Sequence, residues 1–353
     1  MRIILRKPRT KREGSQALRQ AEVICLLYPD IYFEPDYARL YEAEDSKATE
    51  YRFESEHGLI THLFMKRSLP FQLAPGTAYY DLITPYGYGG PIIHHTTDKQ
   101  KLIAGFLEDF GRYAAENHII AEFVRFHPLI GNGVDFQDAY GSVYDRKTVG
   151  TNLTYDDVIG TEFSKHKRKD IRRSLKQPGV RYEVNEHPQS LDDFVDIYYS
   201  TMERDKASDF YFFPPEYFRR LLNAFPDHIT TGKVFLDDQL IAMGLYFRYG
   251  RFLHAHLSGT KTEFLAYSPA CILKYALALY GHEKGYEVIH YGGGTSNSPD
   301  NSLYKYKKEY GKNTEFDFYT ARKIWNDEAY RQACQMSGAD PDSDFFPAYR
   351  KTR

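Results

Sequence analysis

Three apolar runs stand almost end to end in the second half of the chain: Lys233–Leu236, Leu240–Arg248 and Arg251–Ser258. Only Asp237-Asp238 and Tyr249-Gly250 mark the turns between them. Gaps that short close hairpins and leave no room for a crossover, so the runs predict an antiparallel meander. The next stretch of chain is of another kind. Ser268-Pro269 opens a helix that runs to about Lys284 and stops at Gly285, and Tyr286–Tyr291 then reads as a strand. A meander joined to a β-α-β segment requires a mixed sheet. Where its antiparallel and parallel parts meet, strands can splay and open a crevice at their ends.

The elements before and after fit the same plan. Leu191, Phe194, Val195, Tyr198 and Met202 mark one helix, and Pro214-Pro215 starts another that buries Phe218, Leu221, Leu222 and Phe225. After Gly292-Gly293-Gly294 come a short helix, Asn301–Tyr310, and a last strand, Glu315–Thr320. The first half repeats the pattern. Asp36–Ala43 reads as a helix, Tyr51–Glu54 and Leu59–Met65 as a hairpin around Glu56-His57-Gly58, and Ala78–Thr84 as a third strand. A glycine-rich turn, Tyr86-Gly87-Tyr88-Gly89-Gly90-Pro91, leads to an amphipathic helix carrying Ile103, Phe106, Phe110 and Ala114, and then to the strand Ile119–Phe126. At about 150 residues per domain, 353 residues make two domains. The expected divisions are a basic tail 1–20, a first domain 21–155, a second domain 156–325 and an irregular C-terminal tail 326–353.

Composition excludes several classes. With 42% apolar and 27% charged residues, most of the chain is not disordered. A formal charge of −2 argues against a bulk polycation that coats nucleic acid or anionic membrane. No apolar stretch of about 18 residues predicts a membrane span. Cys25, Cys271 and Cys334 are far apart, so neither a zinc ribbon nor a disulfide framework is expected, and no HxxxH pair points to a metal. The basic Met1–Arg12 segment has no apolar core of the secretory kind. A cytoplasmic monomer is the resulting expectation. The 31 tyrosines and 24 phenylalanines suit half-wet clefts as well as cores.

Two motifs carry chemistry. On a wheel of the helix after the triple glycine, Leu303, Tyr306 and Tyr310 form the expected buried face, and Lys305 and Lys308 point away. Lys307 lies on the flank, so its stem packs while its ammonium reaches the rim of the core. An ammonium there stabilises a developing anion or passes a proton. The second motif is 165–176, in which seven of twelve residues are Lys or Arg; its stripe of Phe163, Ile171 and Leu175 packs, and the rest is basic enough for phosphate groups. Glu122-Phe123-Val124-Arg125-Phe126-His127-Pro128 adds charge at a strand end, where Arg125 pairs with Glu122 or Asp81 or else meets a substrate carboxylate or phosphate.

In order and spacing these pieces resemble the FemAB family, the Fem-type ligases with two tandem GNAT-like domains. The resemblance spans about residues 20 to 320 and rests on Tyr79-Tyr80-Asp81 through Pro91, Glu122 to Pro128, Lys167-Arg168-Lys169-Asp170-Ile171-Arg172, His256-Leu257-Ser258-Gly259, and the glycine-rich strand end leading to Leu303-Tyr304-Lys305-Tyr306-Lys307. It implies a mixed α/β protein of two GNAT-like domains that moves an aminoacyl group from aminoacyl-tRNA onto an amine, of a peptidoglycan precursor or a smaller molecule. The family's phenylalanine-lysine pair maps onto Tyr306-Lys307, and its basic helix onto Lys167 to Arg172, giving Lys167, Arg168, Arg172 and Arg173 as anion contacts. Lys307, with backbone N–H groups near Gly293, becomes the donor to the carbonyl oxygen, and Asp81 the acceptor of the amine's proton. Tyr88, Gly89, Gly90, Arg125 and His127 are the expected substrate contacts of the first domain. Those of the second are Tyr211, His256, Ser258, Gly293 and Gly294.

Two departures qualify this picture. No helix is long enough for the coiled-coil arm of some Fem-type members. Where acetyl-CoA-dependent GNAT enzymes carry a glycine-rich pyrophosphate loop, this chain reads Thr262-Glu263-Phe264-Leu265-Ala266-Tyr267-Ser268. An acyl-CoA donor acting on a sugar or small amine is therefore the alternative, and a silent module that binds tRNA or another anionic polymer is the third reading. No resident cofactor is expected in any of them.

Overall fold

A computed structural model of the chain describes residues 28–351. The expected basic tail 1–20 and Cys25 lie outside the described residues. Twelve strands form one sheet: β1 (Ser46–Ser55), β2 (Gly58–Ser68), β3 (Tyr80–Ile83), β4 (Ile92–Thr96), β5 (Ile119–Arg125), β6 (Val143–Asn152), β7 (Val180–Asn185), β8 (Ile229–Leu236), β9 (Gln239–Tyr249), β10 (Phe252–Thr260), β11 (Val288–Gly293) and β12 (Glu315–Ile324). Their spatial order is β1-β2-β3-β5-β12-β6-β11-β10-β9-β8-β7, and β4 lies against β2.

The repeated plan is present. In the first half β3 and β5 run parallel, joined through the helix Lys99–Glu116. In the second half β10 and β11 run parallel, joined through Pro269–Glu283. The meander β8-β9-β10 is antiparallel as expected, and Asp237 and Gly250 supply the left-handed turn positions. The sheet architecture is therefore a mixed α/β one built twice.

The halves are also laced together. β6, from the first half of the sequence, pairs with β11, while β12, from near the C-terminus, inserts between β5 and β6. The cut at 155/156 thus separates β6 from the strands on both sides of it. A second join lies above the sheet. Ile31, Phe33 and Tyr37, with Leu40, share one core with Phe194, Phe218, Leu221 and Phe247 of the second half. Such burial stabilises by about 1.5–3 kcal/mol per large apolar side chain.

Several local expectations change. Within the expected irregular tail the described residues include a helix and a short 3-10 turn, Ala348–Arg350. Asn326 caps the helix Asp327–Ser337 by accepting from the Ala329 N–H at 2.9 Å, and that helix buries Tyr330, Ala333 and Cys334. Ser268 makes no side-chain cap and sits instead in the left-handed region at φ 49°. Leu303 is 37% exposed rather than buried, because Ser302–Lys308 is a short helix whose packing is carried by Tyr306 and by Tyr310 beyond its end. Lys308 is half-buried and bonds Glu315 at 2.7 Å instead of pointing into water.

Candidate active site

A cavity of about 330 Å³ opens where the pairing of β10 with β11 stops, at His254 and His290, and the 84–88 turn of the first half leans over it. Tyr32, Tyr86, Tyr88, Tyr211 and Phe318 form its aromatic walls, and Lys307, Arg146, Arg125, His254, His256 and His290 bring nitrogen to it. Gly292, Gly293 and Gly294 form one edge. Gly292 adopts φ +74°, and a Cβ there would stand 3.3 Å from Tyr88 Oη and 3.5 Å from Lys307 Nζ. Glycine is required by its backbone angle, and its bare face leaves those two polar atoms on one small patch of the cavity.

Lys307 is half-buried, and its Nζ donates to the Gly293 carbonyl at 2.7 Å. At Gly293 it is the carbonyl that engages Lys307. Burial, with repulsion from the Lys274 ammonium as a lesser cause, lowers the Lys307 pKa to about 7. Lys274 is itself lowered to about 8 by burial, with its Nζ 5.2–5.5 Å from the ring centres of Tyr291, Tyr306 and Tyr310. Tyr306 lies outside the cavity lining. Its ring contacts Lys274 and Lys167, and its hydroxyl is pushed up to about 12 by burial. Its position is that of a support for the lysine helix.

Asp81 does not reach the cavity. Its carboxylate is fully buried and accepts from Arg67 Nε at 2.7 Å, Arg350 Nε at 2.5 Å and Tyr349 Oη at 3.0 Å. Two guanidinium groups and a phenol occupy it, so the proton-acceptor role expected for Asp81 is corrected to a structural one. Arg125 reaches the cavity as expected, though the backbone engages much of it. Its guanidinium donates to the carbonyls of Thr84 at 2.6 Å, Pro85 at 2.6 Å and Gly87 at 3.1 Å. It pairs with neither Glu122 nor Asp81; it braces the turn that carries Tyr86 and Tyr88.

The remaining expected contacts divide cleanly. Tyr88, Tyr211, His256, Gly293 and Gly294 line the cavity. Gly89 and Gly90 lie behind it. Gly89 donates to the Arg125 carbonyl at 2.8 Å, and Gly90 (φ +84°) packs against Val124 and Phe126. Ser258 is exposed and outside the lining. His127 is fully buried, its Nδ1 accepting from the Ile130 N–H at 3.3 Å and its Nε2 3.5 Å from Asp30. Asp30 also takes His254 Nε2 at 2.8 Å, and the two imidazoles hold its carboxyl well below the ordinary range despite the opposing effect of burial. The donor atoms of Asp30, His127 and His254 lie within 4.8 Å of one another, and they form the metal-capable set among the described residues.

Arg146, Thr148 and His290 escaped the sequence reading. Arg146 Nη1 donates to the Gly294 carbonyl at 2.9 Å while Nε pairs with Asp145 at 2.7 Å, and His290 Nε2 lies 2.9 Å from Thr148 Oγ1. Arg146 and Thr148 sit on β6, a strand that was not predicted. His290 had a signal, its place one residue before the Tyr291-Gly292 step.

The basic helix forms as expected at Lys165–Leu175, with Ser164 accepting from the Lys167 N–H at 3.2 Å. Lys165, Lys169, Arg172 and Arg173 are exposed, whereas Lys167 and Arg168 are half-buried. Lys167 lies 5.7 Å from the Tyr306 ring centre, which ties this surface to the helix of Lys307.

Residues 162–308, which include the basic helix, both cavity histidines of β10, the triple glycine and Lys307, match a family model described as an acetyltransferase (GNAT) domain. The fold is a tandem GNAT-like one. FemX superimposes with a TM-score of 0.66 at 14% identity, over 89% of this chain and 97% of FemX. L-PGS from Bacillus licheniformis gives a TM-score of 0.52 at 11% identity, over 93% of this chain and 97% of that one. The C-terminal domain of a putative lysylphosphatidylglycerol synthetase from Agrobacterium fabrum gives 0.53 at 13%, over 92% and 96%. These likenesses concern the fold. No curated protein matches the chain in sequence. Among the described residues no helix is long and apolar enough to cross a membrane.

Proposed function

We propose that this tandem GNAT-like protein is an acyltransferase that moves an aminoacyl group from aminoacyl-tRNA to an amine, forming an amide. The observation that carries the reading is Lys307. A half-buried ammonium anchored by a single carbonyl at 2.7 Å keeps two N–H donors for a substrate oxygen. In the reaction the amine nitrogen bonds to the ester carbonyl carbon, the ester C–O bond breaks, and the amine's proton ends on the ribose hydroxyl that leaves. Charge builds on the carbonyl oxygen in between. One well-aimed donor there contributes roughly 3 kcal/mol, about a hundredfold in rate.

Charged tRNA is favoured as donor by the basic face of Lys165–Leu175. Its exposed Lys165, Lys169, Arg172 and Arg173 offer phosphate contacts, and the helix touches the Lys307 helix through Lys167 and Tyr306. The likeness to FemX agrees with a Fem-type donor. A coenzyme A thioester is the second reading, favoured by the acetyltransferase description of the matched domain. Against it, Thr262–Tyr267 forms a short 3-10 helix without glycine where a pyrophosphate loop would lie.

The test is incubation with charged tRNA pools or with acyl-CoA, each with candidate amines, followed by mass spectrometry. An amide formed from charged tRNA supports the reading. An amide formed from acyl-CoA alone reassigns the donor, and no amide from either overturns the enzyme. Monomeric state, the acceptor's identity and a peptidoglycan-precursor substrate belong to the same reading and are checked in the same experiment with the protein's mass in solution.

A further inference from the structure

A hydrogen-bond chain crosses the seam between the halves and ends on His256. Tyr37 Oη donates to the Tyr86 carbonyl at 2.9 Å, and Tyr41 Oη donates to Tyr37 Oη at 3.0 Å. Tyr217 Oη lies 2.9 Å from Tyr41 Oη, and His256 Nε2 lies 3.0 Å from Tyr217 Oη. Tyr37, Tyr41 and the Tyr86 carbonyl come from the first half; Tyr217 and His256 come from the second.

Counting hydrogens fixes the direction of every bond. A carbonyl only accepts, so the one hydroxyl hydrogen of Tyr37 goes to Tyr86. Tyr37 must therefore accept from Tyr41. The hydrogen of Tyr41 is then spent, so Tyr41 accepts from Tyr217. The hydrogen of Tyr217 is spent in turn, so Tyr217 accepts from His256. His256 must carry its hydrogen on Nε2, which leaves the lone pair on Nδ1. Nδ1 makes no hydrogen bond to any described residue, although the ring lines the cavity. The ring is held in place by stacking on Phe247, with centroids 4.2 Å apart, and by the edge of Tyr86 at 5.8 Å. Burial holds this imidazole neutral, its pKa lowered to about 3, so the acceptor persists through the neutral range.

We infer that His256 Nδ1 is the acceptor for an N–H of the amine that occupies this cavity, with Tyr217, Tyr41 and Tyr37 as the positioning residues that set its tautomer. The inference rests on the acyl-transfer reading for what the amine is doing there. It does not rest on it for the tautomer. That reaction contains two amines, the α-amino group of the aminoacyl donor and the nucleophile, and both present the same N–H chemistry. The aromatic walls suit either one as an ammonium.

The test is ¹⁵N NMR on histidine-labelled protein. Expected in the free protein is an unprotonated Nδ1 and a protonated Nε2 at His256. Two probes separate the sources: the hydrolysis-resistant 3′-alanylamido analogue of 3′-deoxyadenosine for the donor, and Nα-acetyl-L-lysine methylamide for the acceptor. The probe that occupies the site shifts Nδ1 toward the hydrogen-bonded value, and its trimethylammonium counterpart, which keeps the charge but has lost the N–H groups of the amine, does not. Tyr41→Phe frees the Tyr217 hydrogen, so the two tautomers mix and binding of the responding probe weakens about tenfold. A protonated Nδ1 in the free protein overturns the inference without touching acyl transfer. So does silence of Nδ1 toward both primary amines, or an equal response to the trimethylated probes. Conversely, the expected shifts in a protein that forms no amide keep the amine site and remove the reaction.

Discussion

Asp81 and Lys307 make an instructive pair, because each is a charge withdrawn from solvent and only one is placed for chemistry. Asp81 accepts from two arginines and a tyrosine, drawn from β2 and from the C-terminal residues Tyr349 and Arg350. Its bonding capacity is used within the protein. Lys307 meets one carbonyl, and the rest of its ammonium faces a cavity. A buried ion with saturated partners holds a fold together, and breaking the set leaves uncompensated charge. A half-buried ion with spare donors raises the energy of its own charged form and is relieved when an anion appears beside it.

The largest expected effect follows from that contrast. Lys307→Met keeps most of the stem and removes the donor, so turnover should fall at least tenfold, and about a hundredfold if the donor supplies roughly 3 kcal/mol. Its melting temperature should rise. The folded pKa lies below the unfolded one, so the cost of the buried ammonium is full below about 7 and fades as pH climbs toward 10.5. The gain from Lys307→Met is therefore greater at acid than at alkaline pH, which thermal melts at both will check.

Asp81→Asn should do the reverse. It should cost about 3 kcal/mol of stability by leaving Arg67 and Arg350 short of charge, while turnover per folded molecule stays within about twofold. A large loss of turnover in correctly folded Asp81→Asn would erase the distinction between the two sites.

Smaller effects sharpen the lysine side. If the ammonium is the working form, turnover should decline as pH rises through about 7, up to tenfold per pH unit. Lys274→Met removes a repelling neighbour, so the decline should move to higher pH. The smallest effect concerns the basic helix. Reversing charge at exposed Lys169 and Arg172 should raise KM for charged tRNA severalfold with little change in kcat, and should flatten the dependence of binding on salt.

Much of this was legible beforehand, because local rules wrote it. Short gaps forced the β8-β9-β10 meander, Pro215 opened its helix, and the flank position of Lys307 followed from helical spacing. What was hidden depended on distant partners. β6 mixes Asp145, Arg146 and Lys147 with few apolar residues because one end of it is exposed. It is a strand because β11 and β12 flank it, and its neighbour β12 arrives more than 150 residues later. β7 is an edge strand with alternate residues in water. Missing β6 meant missing Arg146 and Thr148. Asp81 looked available for substrate, and Arg125 free of the backbone, because their partners, Arg350 and the Thr84 and Pro85 carbonyls, cannot be read from their own neighbourhoods. Tyr217 belongs to no motif, and only the geometry revealed a hydroxyl that aims a histidine.

The most direct test of the Lys307 assignment is its own titration, followed by NMR of the protein with ¹³C-labelled lysine and assigned by comparison with Lys307→Met. The account predicts a midpoint near 7 in the free protein, rising when a carboxylate or other anionic probe enters the cavity. A midpoint at the ordinary lysine value of about 10.4, unmoved by such a probe, would mean that the ammonium is solvated and idle.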